Sequence, residues 1–124
     1  MPHFGERSQR NLVGVHPGLI ELFAEVVKGY DCTIISGFRT ESEQTALLEH
    51  DPPRTQLAWP GSKHNSIPSF AVDVAPYPID WSDIQRFIHF AGYVQRVSEE
   101  LMIAVRWGGF WKRFPDYSHW EIAS

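Results

Sequence analysis

The sequence predicts a small α+β domain, and three observations carry that prediction. Apolar residues recur at three-four spacing over 17–28 and again over about 82–102. Short β-branched or alternating runs lie at 32–36, 70–75, 104–107 and 118–122. Glycine, proline and acidic turn residues separate these segments, and no internal repeat or low-complexity stretch is present.

The elements follow in chain order. Leu19, Leu22, Phe23, Val26 and Val27 form the stripe of a first helix; Pro17 suits its opening turn, where no intrahelical N–H is needed, and Gly29 suits its end. Cys32–Ser36 reads as a buried strand closed by the Ser36-Gly37 turn, which leaves Arg39 just beyond a strand end. Thr40, with Glu43 three residues on, makes a capping box for a second helix whose apolar residues are Ala46, Leu47 and Leu48 and which stops before Pro52-Pro53.

Residues 50–69 hold four prolines and Gly61 without sustained periodicity, so they form a long loop. A loop of that length in so small a domain is usually functional. Phe70–Ala75 alternates, placing Phe70, Val72 and Val74 on one face and Ala71, Asp73 and Ala75 on the other. Asp80 or Ser82 caps a long helix running to about Met102, with a break allowed at Gly92. Two short strands, Ala104–Trp107 and Ser118–Ile122, complete the chain, with turn signals at Gly108-Gly109 and Pro115-Asp116 between them.

With 124 residues the chain has the length of one domain, residues 1–124, and its 43% apolar content supports a real core. Net charge −4 excludes a broad electrostatic footprint for nucleic acid. Cys32 is the single cysteine, so an intrachain disulfide and multi-thiolate zinc sites are excluded, and a metal would need histidine and carboxylate ligands. Met1–Arg10 is polar and no stretch approaches 18 apolar residues, so we expect a soluble product without its own export signal.

The ingredients of such a site are His64, Asp73 and His119, each beside small or turn residues. Three protein ligands leave a metal one open position, where a bound water becomes nucleophilic at neutral pH. Asp116, three residues before His119 across a turn, could take that water's proton. By spacing alone the ordinary readings stay open: a loop histidine at His64, a buried Asp73 paired with Arg39 or Arg106, an edge-strand His119, a turn-forming Asp116.

Four pieces carry more information together: Ser36-Gly37-Phe38-Arg39, Ser62-Lys63-His64, Ala71-Val72-Asp73 and Asp116-Tyr117-Ser118-His119. Across about Pro17–Ile122 they resemble the zinc D-alanyl-D-alanine carboxypeptidase and L-alanyl-D-glutamate peptidase family, most of all its small phage endolysin branch. The resemblance implies an α+β fold, with a small mainly antiparallel sheet, helices on one face and a zinc cleft on the other. It implies His64, Asp73 and His119 as zinc ligands, Asp116 as catalytic base, and Arg39 as a catalytic and substrate-binding residue that steadies a carboxylate or the oxyanion. Ser62 would orient a ligand, bind substrate or merely form the loop. Two features depart from the usual pattern: the segment 65–72 is longer and lacks a glycine, and the base is aspartate where the carboxypeptidases carry glutamate. The second points to the endopeptidase branch.

The implied function is a zinc-dependent peptidoglycan endopeptidase cutting the L-alanyl-D-glutamate bond of the stem peptide. The rivals are a D-alanyl-D-alanine carboxypeptidase or dipeptidase and a non-catalytic zinc-binding module. Implied partners are the stem peptide alone, with no nucleic acid and no stable membrane association, the protein being a monomer. It would accumulate in the host cytoplasm and reach the periplasm once the membrane is permeabilised. By alternation Trp120 faces the core, while Glu121 shares the face of His119 and can support it. Trp59, Trp81, Trp107 and Trp111 either pack or line a groove, and Lys112 and Arg113 either are solvated or meet acidic stem peptides. The loop 50–69 and the segment 107–117 are expected to close the cleft.

Overall fold

The computed structural model describes residues 2–123. Its elements are α1 (Glu6–Leu12), α2 (Pro17–Gly29), β1 (Cys32–Ser36), α3 (Glu41–Glu49), β2 (Ala71–Pro76), α4 (Ile84–Leu101), β3 (Val105–Trp107), a 3-10 turn (Gly108–Phe110) and β4 (His119–Ile122). The sheet order is β1-β2-β4-β3 and every pairing is antiparallel, as expected.

Helices α2 and α4 pack on each other and on one face of the sheet. Val72, Val74 and Trp120 point into that layer against Leu19, Leu22, Phe23, Val26, Phe90 and Val94, all essentially without solvent contact. Trp120 stacks on its strand neighbour Trp107 at 6.0 Å and meets Phe23 edge-on at 6.3 Å, which fixes β4 to the helical layer. Because side chains alternate along a strand, burying Trp120 here turns His119 and Glu121 to the opposite face.

Four details differ from the sequence reading. The polar N-terminal stretch contains α1, whose Ser8 and Asn11 serve β1: Ser8 Oγ accepts from the Ile34 N–H (3.0 Å), and Asn11 Nδ2 donates to the Ile34 and Ile35 carbonyls (2.9 and 3.2 Å). The helix thus covers an edge strand with polar side chains, so no apolar stripe announces it. Strand β2 begins at Ala71, and Phe70 lies half-exposed against the His16 ring (5.5 Å). The cap of α4 is Asp83, whose side chain accepts from the Arg86 N–H, while Asp80 caps the preceding Ser82 turn; α4 then runs unbroken through Gly92. Finally, α3 has the expected capping box at Thr40, but what it buries is Gln44 rather than its leucines.

Candidate active site

The site lies on the sheet face away from α2 and α4. Asp73 and His119 are cross-strand partners between β2 and β4, and Oδ1 of Asp73 lies 3.6 Å from Nδ1 of His119. His64 comes from the loop 50–69 and is placed by a turn: Ser62 Oγ accepts from the His64 N–H (3.2 Å), and the Ser62 N–H donates to Asn65 Oδ1 (3.0 Å). The N–H of Arg39 closes the turn by donating to the His64 carbonyl (2.8 Å). His64 Nε2 then sits 3.5 Å from Oδ2 of Asp73.

Each ring is oriented by its other nitrogen. His64 Nδ1 donates to the Gly37 carbonyl at 2.8 Å, which leaves Nε2 as the lone-pair nitrogen. Gly37 permits this because a β-carbon there would collide with the Asn11 carbonyl and Val15. His119 Nε2 donates to Glu121 Oε1 (2.8 Å), and Glu121 Oε2 accepts from Lys63 Nζ (2.7 Å), so Nδ1 of His119 faces Asp73. Arg39 Nη2 donates to Asp73 Oδ2 (2.9 Å), Nη1 to Gln44 Oε1 (3.0 Å) and Nε to Ser36 Oγ (3.4 Å).

This arrangement fits a metal ion. One donor atom from each of His64, Asp73 and His119 lies within 4.8 Å of the others, and all three residues are buried. Among the described residues three buried side-chain polar atoms lack a hydrogen-bond partner, and two of them are His64 Nε2 and Asp73 Oδ1. Buried polar atoms are normally satisfied, so two such atoms facing one point mark where a cation could be held. Two imidazole nitrogens and a carboxylate oxygen suit a borderline divalent ion with an open position.

The electrostatics agree. Burial pushes the Asp73 carboxyl up, but the two histidines beside it outweigh burial and hold the group well below the usual carboxylate range. Burial pulls His119 down, yet the neighbouring Asp73 carboxylate and the bond to Glu121 prevail and raise it to about 9 in the metal-free protein. Glu121 is held at about 2, chiefly by its bond to His119, against burial. Asp116 moves the other way: burial and then the charge of Asp73 raise it.

Asp116 stands at the lip of the site. Its N–H donates to the Gly108 carbonyl (3.0 Å), its carbonyl accepts from the His119 N–H (3.2 Å), and Oδ1 accepts from the Ser118 N–H and hydroxyl (3.3 and 3.1 Å). A β-carbon on Gly108 would lie 2.5 Å from the Asp116 carbonyl oxygen and 2.9 Å from His119 Cβ, so glycine is what lets this turn approach β4.

A cleft of about 570 Å³ opens over these groups, lined by Arg39, Ser62, His64, Asp116 and His119, with residues 53–57 on one flank and 113–118 on the other. The two segments expected to close the cleft do flank it, and all six candidate site residues come together. Two of them have a further employment that the sequence left open: Arg39 is paired with Asp73, and the Ser62 hydroxyl holds the His64 turn. Sequence reading missed Gln44, a glutamine on a polar helix, whereas Glu121 takes the supporting place beside His119 that alternation gave it. Of the tryptophans, Trp107 packs, whereas Trp81 and Trp111 line the cleft, Trp111 lying 4.7 Å from the His119 ring.

Residues 1–123 match the family of phage L-alanyl-D-glutamate peptidases. The chain belongs to that family. A solved L-Ala-D-Glu endopeptidase of Serratia marcescens, ChiX, is similar at 28% identity, covering 98% of this chain and 90% of its own, with a TM-score of 0.78. No curated protein matches. This L-alanyl-D-glutamate peptidase is therefore a peptidoglycan endopeptidase of the phage type with an α+β fold. Among its described residues no helix is long and apolar enough to cross a membrane.

Proposed function

We propose that residues 1–124 act as one zinc-dependent catalytic domain that hydrolyses the L-alanyl-D-glutamate bond of the peptidoglycan stem peptide, with His64 Nε2, Asp73 Oδ1 and His119 Nδ1 as the metal ligands. The observation that carries this reading is the pair of buried, unpartnered donor atoms, His64 Nε2 and Asp73 Oδ1, beside a cleft that His64 and Asp116 line. Zinc, when bound, supplies a Lewis acid for the scissile carbonyl and lowers the pKa of a water molecule.

The chain's own residues do the rest. Asp116 accepts the proton of the attacking water and returns it to the leaving amine; its raised pKa brings it nearer the pH at which both transfers are feasible. Arg39 holds Asp73 and steadies the substrate carbonyl with the N–H groups not used on Asp73, Gln44 and Ser36. Ser62 keeps the His64 turn and meets the substrate backbone from the cleft wall. The protein acts as a monomer on the stem peptide, accumulating in the host cytoplasm and reaching the periplasm after the membrane is permeabilised. A net charge of −4 supports no nucleic-acid partner.

The test is mass spectrometry of fragments released from purified Gram-negative sacculi by zinc-loaded protein, with Asp116→Ala as the blank. New amino-terminal D-Glu peptides from the wild type, and at least a hundredfold fewer from the variant at unchanged zinc content, are expected. Release of D-Ala alone would move the activity to a carboxypeptidase, and no product from folded, metal-loaded protein would leave a binding module.

A further inference from the structure

The cleft is cationic in a chain of net charge −4: three arginines, Arg39, Arg54 and Arg113, line it against a single carboxylate, Asp116. The three are not equivalent. Arg39 is largely buried, and three of its five N–H groups are held by Asp73, Gln44 and Ser36. Arg54 and Arg113 are exposed and enter from the two flanking segments, and neither side chain has a hydrogen bond or ion pair among the described residues.

Arg54 is nevertheless anchored at the backbone, and Arg113 adjoins a constrained turn. The Arg54 N–H donates to the Leu47 carbonyl at the end of α3 (2.9 Å), and the next residue, Thr55, is bonded to the buried Gln44 (3.2 Å). Arg113 precedes Phe114, which takes a left-handed conformation (φ 50°) that a bulky residue adopts only where its surroundings impose it. The neighbouring Lys112 does not line the cleft.

The substrate class supplies the counter-charge. A D-glutamyl residue has two carboxyl groups, and whichever carries the peptide onward, the other remains a free anion close to the scissile amide. Arginine suits that anion because its planar fork can donate two parallel bonds to a carboxylate. We propose that Arg54 and Arg113 form a carboxylate-recognition rim that selects stem peptides whose D-glutamyl carboxylate is free over those in which it is amidated. This inference rests on the proposed cleavage of the L-alanyl-D-glutamate bond and adds the determinant of substrate choice.

The test compares N-acetyl-L-Ala-D-Glu-L-Lys, continued through the side-chain carboxyl of glutamate, with the same peptide carrying an α-carboxamide. Zinc-loaded wild type, Arg54→Gln, Arg113→Gln and the double variant are assayed, with zinc content measured for each. The wild type is expected to favour the free acid by about tenfold in kcat/KM, the double variant to lose that preference by slower cleavage of the acid alone, and zinc content to stay constant. Equal rates on both peptides in the wild type, or an equal loss on both in the double variant, would overturn the proposal. A second arm titrates each peptide into the catalytically silenced Asp116→Ala protein and measures binding by calorimetry. Should the wild type cleave neither peptide, the bond assignment fails, while preferential binding of the acid that disappears in the Arg54/Arg113 double variant of this protein still supports the rim, and equal binding rejects it.

Discussion

Arg39 Nη2 and Asp73 Oδ2 lie 2.9 Å apart, and this bond leaves Oδ1 of the carboxylate to face His119. Both side chains are largely buried, so the pair is little screened by water. Removing the cation leaves a buried carboxylate free to turn and without its counter-charge. We expect Arg39→Ala to weaken zinc affinity by about 10- to 100-fold, read by competition with a chromophoric chelator. Arg39→Lys should recover only part of this, because an ammonium cannot bridge Asp73 and Gln44 in one plane. Unchanged zinc affinity in Arg39→Ala would confine Arg39 to the substrate.

Metal uptake should release a proton. In the metal-free protein His119 is raised to about 9, so it is charged at neutral pH, and a metal ligand must be neutral. Zinc affinity should therefore fall by about tenfold per pH unit as the pH drops below about 9. Titration calorimetry in buffers of differing ionisation heat should return close to one proton released from this residue at pH 7, and Glu121→Gln should reduce it. The stability sign follows: in the metal-free protein the charged His119 contributes fully below its ordinary 6.5 and loses that contribution as the pH rises through about 9.

Gln44 connects the cleft wall to the site. Its Oε1 accepts from Arg39 and Asn65, and its Nε2 donates to Thr55 Oγ1 and to the Leu57 carbonyl (2.7 Å). Gln44→Leu keeps the volume but strands these partners, at a cost of about 2–3 kcal/mol in urea unfolding. A loss below about 0.5 kcal/mol would mean that water replaces the network.

The thiol of Cys32 should be inert in the native protein. Burial, and then the charge of Asp31, push it up to about 12. Alkylation by iodoacetamide at pH 8 should run roughly a thousandfold slower in the folded protein than in urea. Equal rates would place Cys32 outside the core.

Helices α2 and α4 and the strands were legible because each buries one periodic stripe, and periodicity is a local property. Helix α1 was not, since it is held by the side chains of Ser8 and Asn11 on β1 rather than by apolar burial. The same holds for α3, whose cap was legible at Thr40 but whose buried residue, Gln44, looks like any surface glutamine.

By itself the sequence determined the α+β class and the family, and singled out His64, Asp73, His119 and Asp116 as candidates, because these depend on residue type and order along the chain. Only the tertiary structure decided which nitrogen of each histidine faces Asp73, that Arg39 spends its charge on Asp73, and that Arg54 and Arg113 reach one cleft from segments nearly sixty residues apart. Those outcomes depend on distances between atoms that antiparallel pairing and helix packing bring together, and no local pattern encodes them.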